Sequence, residues 1–299
     1  MGRVGTSVAM SLLSRGSVRE LLLNDLDQAR AEGEAMDMAH GAPFLGGAAV
    51  RASSVAEMHG CAAIVIAAGR NGRPGESRLD LLRDNAAVVR SLGTALRGYA
   101  GLLIMVTNPV DVLTWVLLDA SQLPPSRVLG TGTLLDTARM RTLIGSELGV
   151  SPQSVHLHVI GEHGDSQVAL FASGEVGNLP LRAWPGWQQG REVGLADQVR
   201  GAATEIIARK GATNHAIGLA TAYLVKWALA DERRVLTISR LQEGALGVRD
   251  VCISLPTIVG RMGAGQVLEP QLSEFERVAF LESVRVLRDA QASVDRHSP

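Results

Sequence analysis

Along the first half of the chain, apolar residues form short unbroken runs separated by longer stretches of helical period. Leu21–Leu23, Ala62–Ala67 and Leu102–Val106 are runs of strand length. Between them, Asp27–His40 and Leu79–Leu96 repeat apolar positions every three or four residues, the period of a helix with one buried face. Near-continuous apolar strands alternating with helices predict a parallel sheet covered on both faces. The second half is less regular. Val155–Ile160 and Gln167–Ser173 predict a strand pair across a tight turn, Leu195–Gly211 a long helix, Val235–Arg240 with Val251–Leu255 a second strand pair, and Ser273–Ala292 a closing helix. Gly130-Thr131-Gly132-Thr133 precedes a new helix and marks the expected division into residues 1–130 and 131–299. There is no internal repeat or low-complexity tract.

Composition narrows the classes. The 299 residues carry 29 Lys+Arg against 30 Asp+Glu, a net charge of −1. That balance leaves no electrostatic footprint for nucleic acid or an anionic membrane surface. With 46% hydrophobic and 20% charged residues, a packed core is expected rather than disorder. Cys61 and Cys252 lie far apart, which excludes a disulfide scaffold or a CxxC metal site and suits a reducing cytoplasm. The longest apolar stretches, Cys61–Ala68 and Gly101–Val106, are far short of a membrane span, and the short run Val8–Leu13 does not make a signal peptide. A soluble, cytoplasmic protein without bound metal is expected.

Gly2-Arg3-Val4-Gly5 opens a helical run, and Asp25 follows an apolar strand 20 residues after Gly5. In a Rossmann unit, glycines let a turn approach a pyrophosphate seated on the helix N-terminus, and an acid about 20 residues on meets the ribose hydroxyls. That acid selects NAD over NADP, because a 2′-phosphate would face its charge. Two glycines three apart also occur in ordinary loops; Asp25 tips the balance. The strand and first glycine that should precede Gly2 are not in the sequence. The expected fold is therefore an α/β, doubly wound parallel sheet apparently lacking its first strand, followed by an α+β catalytic domain. Without that central strand two neighbours keep unpaired edges, and a sequence starting too late is the expected reason.

Four segments carry chemistry. They are Gly69–Arg78 after an apolar strand, Val106-Thr107-Asn108-Pro109-Val110-Asp111 at the end of another, Leu135-Asp136-Thr137-Ala138-Arg139 on a helix, and Gly161-Glu162-His163-Gly164-Asp165-Ser166. Alone, an Asp–Arg pair at helical spacing is usually a solvated surface pair, His163 a turn residue, and Arg78 one more surface cation. Together, in this order, with Leu255-Pro256-Thr257-Ile258-Val259-Gly260-Arg261 and the final helix, they make the chain resemble the NAD-dependent L-lactate/malate dehydrogenase family over nearly its whole length. The resemblance implies that His163 is the acid/base, oriented by Asp136, and that Arg78 polarises the carbonyl from a loop that closes over the substrate. It implies Arg139 as a carboxylate clamp, with Asn108, Thr213 and the Gly72 position also at the substrate. Cofactor contacts are implied at Gly2, Val4, Gly5, Asp25, Ala68, Gly69, Asn108 and Ile217, and a cis peptide at Asn108–Pro109. A protonatable imidazole suits the proton step at neutral pH, and a planar guanidinium holds a carboxylate bidentately.

Family members that act on lactate usually carry Gln six residues before the loop arginine, and those that act on malate carry Arg. Gly72 departs from both, and Arg73 matches a residue that normally precedes the loop proline. Thr213 leans towards lactate, whereas Asn214 and His215 replace an aromatic pair. The resemblance therefore implies a small 2-oxo/2-hydroxy acid, pyruvate/L-lactate first, with room for larger 2-oxo acids. A malate or broader 2-hydroxy-acid enzyme is the near alternative, and a non-catalytic NAD-binding protein the distant one. Arg141 and His156 match positions where allosteric bacterial members bind fructose 1,6-bisphosphate across a subunit interface, so this activator and a homotetramer or homodimer are implied. His158, His215, Met36 and Met38 have no such support and are expected to be core or surface residues.

Overall fold

The computed structural model describes residues 1–70 and 78–295. The first stretch runs α1 (Arg3–Ser14), β1 (Glu20–Leu23), α2 (Gln28–Gly41), β2 (Ala49–Ala52) and β3 (Ala63–Ile66), followed by α3 (Arg78–Ala95), β4 (Leu102–Met105), α4 (Val110–Ser121) and β5 (Val128–Gly130). Then come α5 (Leu134–Leu148) and five two-residue strands: β6 (Val155–His156), β7 (Val159–Ile160), β8 (Val168–Ala169), β9 (Glu175–Val176) and β10 (Leu179–Pro180). The chain closes with α6 (Glu192–Lys210), α7 (His215–Leu229), β11 (Arg234–Glu243), β12 (Arg249–Gly260), β13 (Gly263–Val267) and α8 (Glu274–Asp295).

Local chemistry explains the helix ends. Asp27 caps α2, its side chain accepting the Arg30 N–H at 3.1 Å. Ser273 and Glu276 exchange hydrogen bonds across the first turn of α8, a reciprocal pair that satisfies two backbone donors. Gly211 ends α6 with φ at +82°, a conformation costly for a side chain. α4 has no polar face. Val110, Val112, Leu113, Val116 and Leu117 are each at most 1% exposed, so it fills the middle of the molecule.

The parallel strands fall into two ladders, β2–β1 and β3–β4–β5. β1 and β3 are not hydrogen-bonded to each other, and the break lies where the glycine motif leads one to expect a further strand. α1 packs across both sides of it: Leu21, Ala63 and Val65 all lie against the cluster that holds Val8 and Leu12. The sheet does not stop at Gly130. β11 adds antiparallel to β5 through Ser239 and Gly130, and β12 and β13 follow, giving the order β13-β12-β11-β5-β4-β3.

One expected strand is two. Val155–Ile160 divides between sheets: β6 pairs with β9, and only β7 pairs with β8. Threonines from α5 and the turn before it take up the backbone of Val159, Thr133 Oγ1 donating to its carbonyl at 2.6 Å and Thr137 Oγ1 accepting its N–H at 2.9 Å. No helix among the described residues is long and apolar enough to cross a membrane, and no group of three or more potential ligands that could hold a metal occurs among them.

Candidate active site

α5 and the loop after β7 bring three expected residues into one chain of contacts. Asp136 lies in the first turn of α5, 1% exposed, and its Oδ2 faces His163 Nδ1 at 2.5 Å. Its Oδ1 accepts from Arg139 Nη1 at 3.0 Å, one helical turn on. Burial disfavours the charged imidazole of His163, and Arg139 opposes it too. The charge and hydrogen bond of Asp136, with the charge of Asp111, outweigh both, and the His163 pKa is raised. The imidazolium is thus held by its charged neighbours rather than by solvent.

Ser254 on β12 sets the distance between helix and loop. Its backbone exchanges two hydrogen bonds with Gly161, at 3.0 and 3.1 Å, and its Oγ accepts the Thr133 N–H at 3.1 Å. Gly161 has φ at +92°, the turn that swings the loop back over α5. On the far side, Ser283 of α8 accepts the Glu162 N–H at 2.6 Å, and Ser166 Oγ donates to Glu162 Oε2 at 2.5 Å. The His163 backbone N–H ends on Asp111 Oδ2 at 2.8 Å. Asp111 closes one of the four segments but is given no role by the sequence, and Ser254 and Ser283 lie outside them: a serine in an apolar strand or a helix carries no motif.

The C-terminal ends of the parallel strands carry the expected cofactor residues. Gly69 has φ at +156°, and a Cβ there would lie 2.5 Å from the Thr107 methyl and 3.1 Å from Asn85 Oδ1. Thr107 cannot turn away, because its Oγ1 donates to the Ala68 carbonyl at 2.7 Å. Asn85, 1% exposed, pairs with both the N–H and the C=O of Arg70. Ala68, Gly69 and Asn108 are exposed, and the Asn108–Pro109 peptide is cis, as the resemblance implies.

α1 begins at Gly2 with no side-chain cap and no acid in its first turn. Its backbone N–H groups and dipole therefore suit an anion such as a pyrophosphate. Val4 and Ile217 pack on the cluster behind it, and Asn214 ties α7 to α1 by donating to Ser7 Oγ at 2.8 Å. Thr213, half-buried, precedes Asn214 at that junction. Asp25 follows β1, where an acid would meet the ribose hydroxyls of a dinucleotide seated on α1. These features fit a dinucleotide.

Arg141 donates from Nε to the Leu157 carbonyl at 2.9 Å, beside exposed His156 on β6. Both charges act on half-buried His158, whose pKa falls to about 4, chiefly through desolvation. Burial likewise lowers the Arg141 pKa. Gly72 and Arg73, and the side chain of Arg78, lie outside the described residues.

Two family models match, the "lactate/malate dehydrogenase, NAD binding domain" over residues 1–130 and the "lactate/malate dehydrogenase, alpha/beta C-terminal domain" over residues 133–296. An L-lactate dehydrogenase of Synechococcus sp. (strain JA-3-3Ab) is 42% identical over 296 residues, covering 98% of this chain and 97% of that protein. One from Thermus aquaticus is 41% identical over 301 residues, covering 98% and 97%. Among solved structures, the ligands-bound minor L-lactate dehydrogenase of Enterococcus mundtii is 36% identical and superposes with a TM-score of 0.95, covering 100% of this chain and 96% of that one.

Proposed function

Because the chain belongs to the lactate/malate dehydrogenase family of NAD-dependent enzymes, we propose that it reduces pyruvate to L-lactate, reversibly, with His163 as the acid and base. The Arg139–Asp136–His163 chain carries this reading. With Nδ1 engaged by Asp136 at 2.5 Å, Nε2 is the nitrogen left to meet a substrate oxygen. Asp136 fixes the ring and stabilises its charged form. NADH, when bound, supplies the hydride to the carbonyl carbon. His163 then gives its Nε2 proton to the oxygen that gains the charge, and takes it back when lactate is oxidised.

Arg139 is tied to Asp136 through Nη1, and the rest of its planar guanidinium suits a substrate carboxylate. Arg78 is assigned to polarising the carbonyl, an electrostatic role worth most where water is excluded. Gly72 supplies no side chain to distinguish pyruvate from longer 2-oxo acids, so a relaxed substrate range accompanies this activity. We assign Gly2, Val4, Gly5, Asp25, Ala68, Gly69, Asn108 and Ile217 to NAD, and Asn108, Thr213 and Gly72 to the substrate. The division at residue 130 separates the cofactor-binding part from the part that carries His163.

The same reading places fructose 1,6-bisphosphate at Arg141 and His156, where an arginine and an imidazole adjoin, and makes the protein a cytoplasmic homotetramer or homodimer. The test is NADH oxidation with pyruvate, oxaloacetate and 2-oxoisocaproate, with and without the bisphosphate, in wild type and His163→Ala. Loss of the general acid is expected to lower pyruvate turnover by about 10²–10⁴-fold. Preference for oxaloacetate, or turnover that survives the substitution, would refute it.

A further inference from the structure

The turn that carries His163 is closed at its base by a circuit of hydrogen bonds that the reaction just described does not use. The Glu162 N–H donates to Ser283 Oγ at 2.6 Å. Ser283 Oγ and Ser166 Oγ lie 3.1 Å apart, and Ser166 Oγ donates to Glu162 Oε2 at 2.5 Å. Each hydroxyl has one proton to give, and an ionised carboxylate can only accept. The Ser166 proton is therefore committed to Glu162. Ser283 Oγ takes the backbone N–H, which leaves its own proton to span the gap to Ser166. The circuit runs one way round, leaving from the backbone of Glu162 and returning on its side chain. Ser283, on α8, is its one member from outside the turn.

Two glycines make room for it. A Cβ at Gly161 would lie 2.8 Å from Ser283 Oγ, and one at Gly164 would lie 2.7 Å from both Cδ and Oε1 of Glu162. No left-handed φ requires glycine at Gly164, so space alone does. Docking of α8 does not need the circuit. Phe280, Val284 and Leu287, each at most 3% exposed, already pack on the cluster that holds Ile160, Val168 and Leu255. An alanine at 283 would join them without burying a hydroxyl that is 0% exposed. Apolar packing has no direction, whereas a fully satisfied polar network specifies one geometry. The geometry specified here is the spacing of Glu162, just before His163, from Ser166, just after it. We propose that Ser283 is a positioning residue for the general acid: through this circuit it sets the turn from which His163 meets both Asp136 and the substrate oxygen. This inference rests on His163 being the acid and base.

Ser283→Ala orphans the Glu162 N–H and opens the circuit. The single-turnover rate of pyruvate reduction, started from the preformed NADH complex, is expected to fall by about 10–10²-fold, the effect of misplacing a reacting group by about 1 Å. NADH affinity, read by fluorescence titration, stays at the wild-type value, because the circuit touches none of the residues assigned to the coenzyme. A purely structural role would lower the melting temperature and leave the rate of the folded enzyme unchanged. Ser166→Ala opens the same circuit at another bond and is expected to slow the same step. Ser166→Thr keeps the hydroxyl and the wild-type rate. The double variant Ser166→Ala/Ser283→Ala falls no further than Ser283→Ala, because one break already opens the circuit.

A folded Ser283→Ala with the single-turnover rate of wild type overturns the proposal. If Ser283→Ala does not fold, half-buried Ser166 decides alone, and a wild-type rate in Ser166→Ala overturns it. Losses that multiply in the double variant overturn the circuit. Turnover that survives His163→Ala marks a failure of the general-acid reading instead. An inactive His163→Ala beside full-speed Ser283→Ala and Ser166→Ala marks a failure of this inference alone.

Discussion

Asp136→Asn keeps the shape of a side chain that is 1% exposed and removes the charge that faces His163 at 2.5 Å and Arg139 at 3.0 Å. An opposite charge this close moves a pKa by about 1–3 pH units, or about 1.4–4 kcal/mol. Above its pKa, His163 loses imidazolium tenfold per pH unit, so kcat/KM for pyruvate on the alkaline limb is expected to fall by about 10–10³-fold. The pyruvate KM rises as well, because Arg139 loses the carboxylate that aims it. The assay is loss of NADH absorbance with NADH saturating, repeated across the pH range, and the alkaline limb should move down. Stability gives a second readout. The folded pKa of His163 is raised, so its stabilisation is complete below the unfolded value of about 6.5 and is lost as pH rises through the folded value. The melting advantage of wild type over the variant should therefore be largest near pH 6 and shrink on the alkaline side. A folded variant within threefold of wild type along the alkaline limb, its limb unmoved, would refute the reasoning.

Two further outcomes follow from close approaches. Gly69→Ala puts a methyl 2.5 Å from a Thr107 methyl whose hydroxyl is already engaged, at a φ of +156°. It is expected to cost about 2–3 kcal/mol and to weaken NADH binding, read by thermal melting and fluorescence titration. Ser254→Ala leaves the Gly161 bridge and orphans the buried Thr133 N–H. A loss of about 1–3 kcal/mol is expected, together with a larger fall in kcat than in coenzyme affinity, because the contact it breaks spaces Asp136 from His163.

Much of the frame is legible from the period of apolar positions. β1, β3, β4 and helices α2 and α3 fall within a residue or two of their expected bounds, because each has a single buried face or a run of strand length. α4 and α7 escape that test, because they are so rich in apolar residues that their buried face does not stand out from the rest. The split of Val155–Ile160 escapes it too, since the cause is a pair of threonines at the start of α5 and not the strand's own residues. Helical spacing places Asp136 and Arg139 on one face, and His163 joins them only through the family resemblance. Asp111 ends one of the motifs without a role, because an acid in the first turn of a helix has a ready explanation in the helix dipole, and only the fold shows the loop above it.

The ladder that joins β5 to β11 has a mechanical consequence. β4, which leads to Asn108, and β12, whose Ser254 fixes the His163 loop, belong to one hydrogen-bonded sheet that passes across residue 130. A Cβ on Gly130 would meet Thr114 Oγ1 at 2.3 Å and Ser239 Cβ at 3.0 Å, so α4 is wedged against the seam. A hinge at residue 130 would have to part β11 from β5 at Ser239 and Gly130. The end of β4 and the anchor of the His163 loop thus keep one fixed gauge between them.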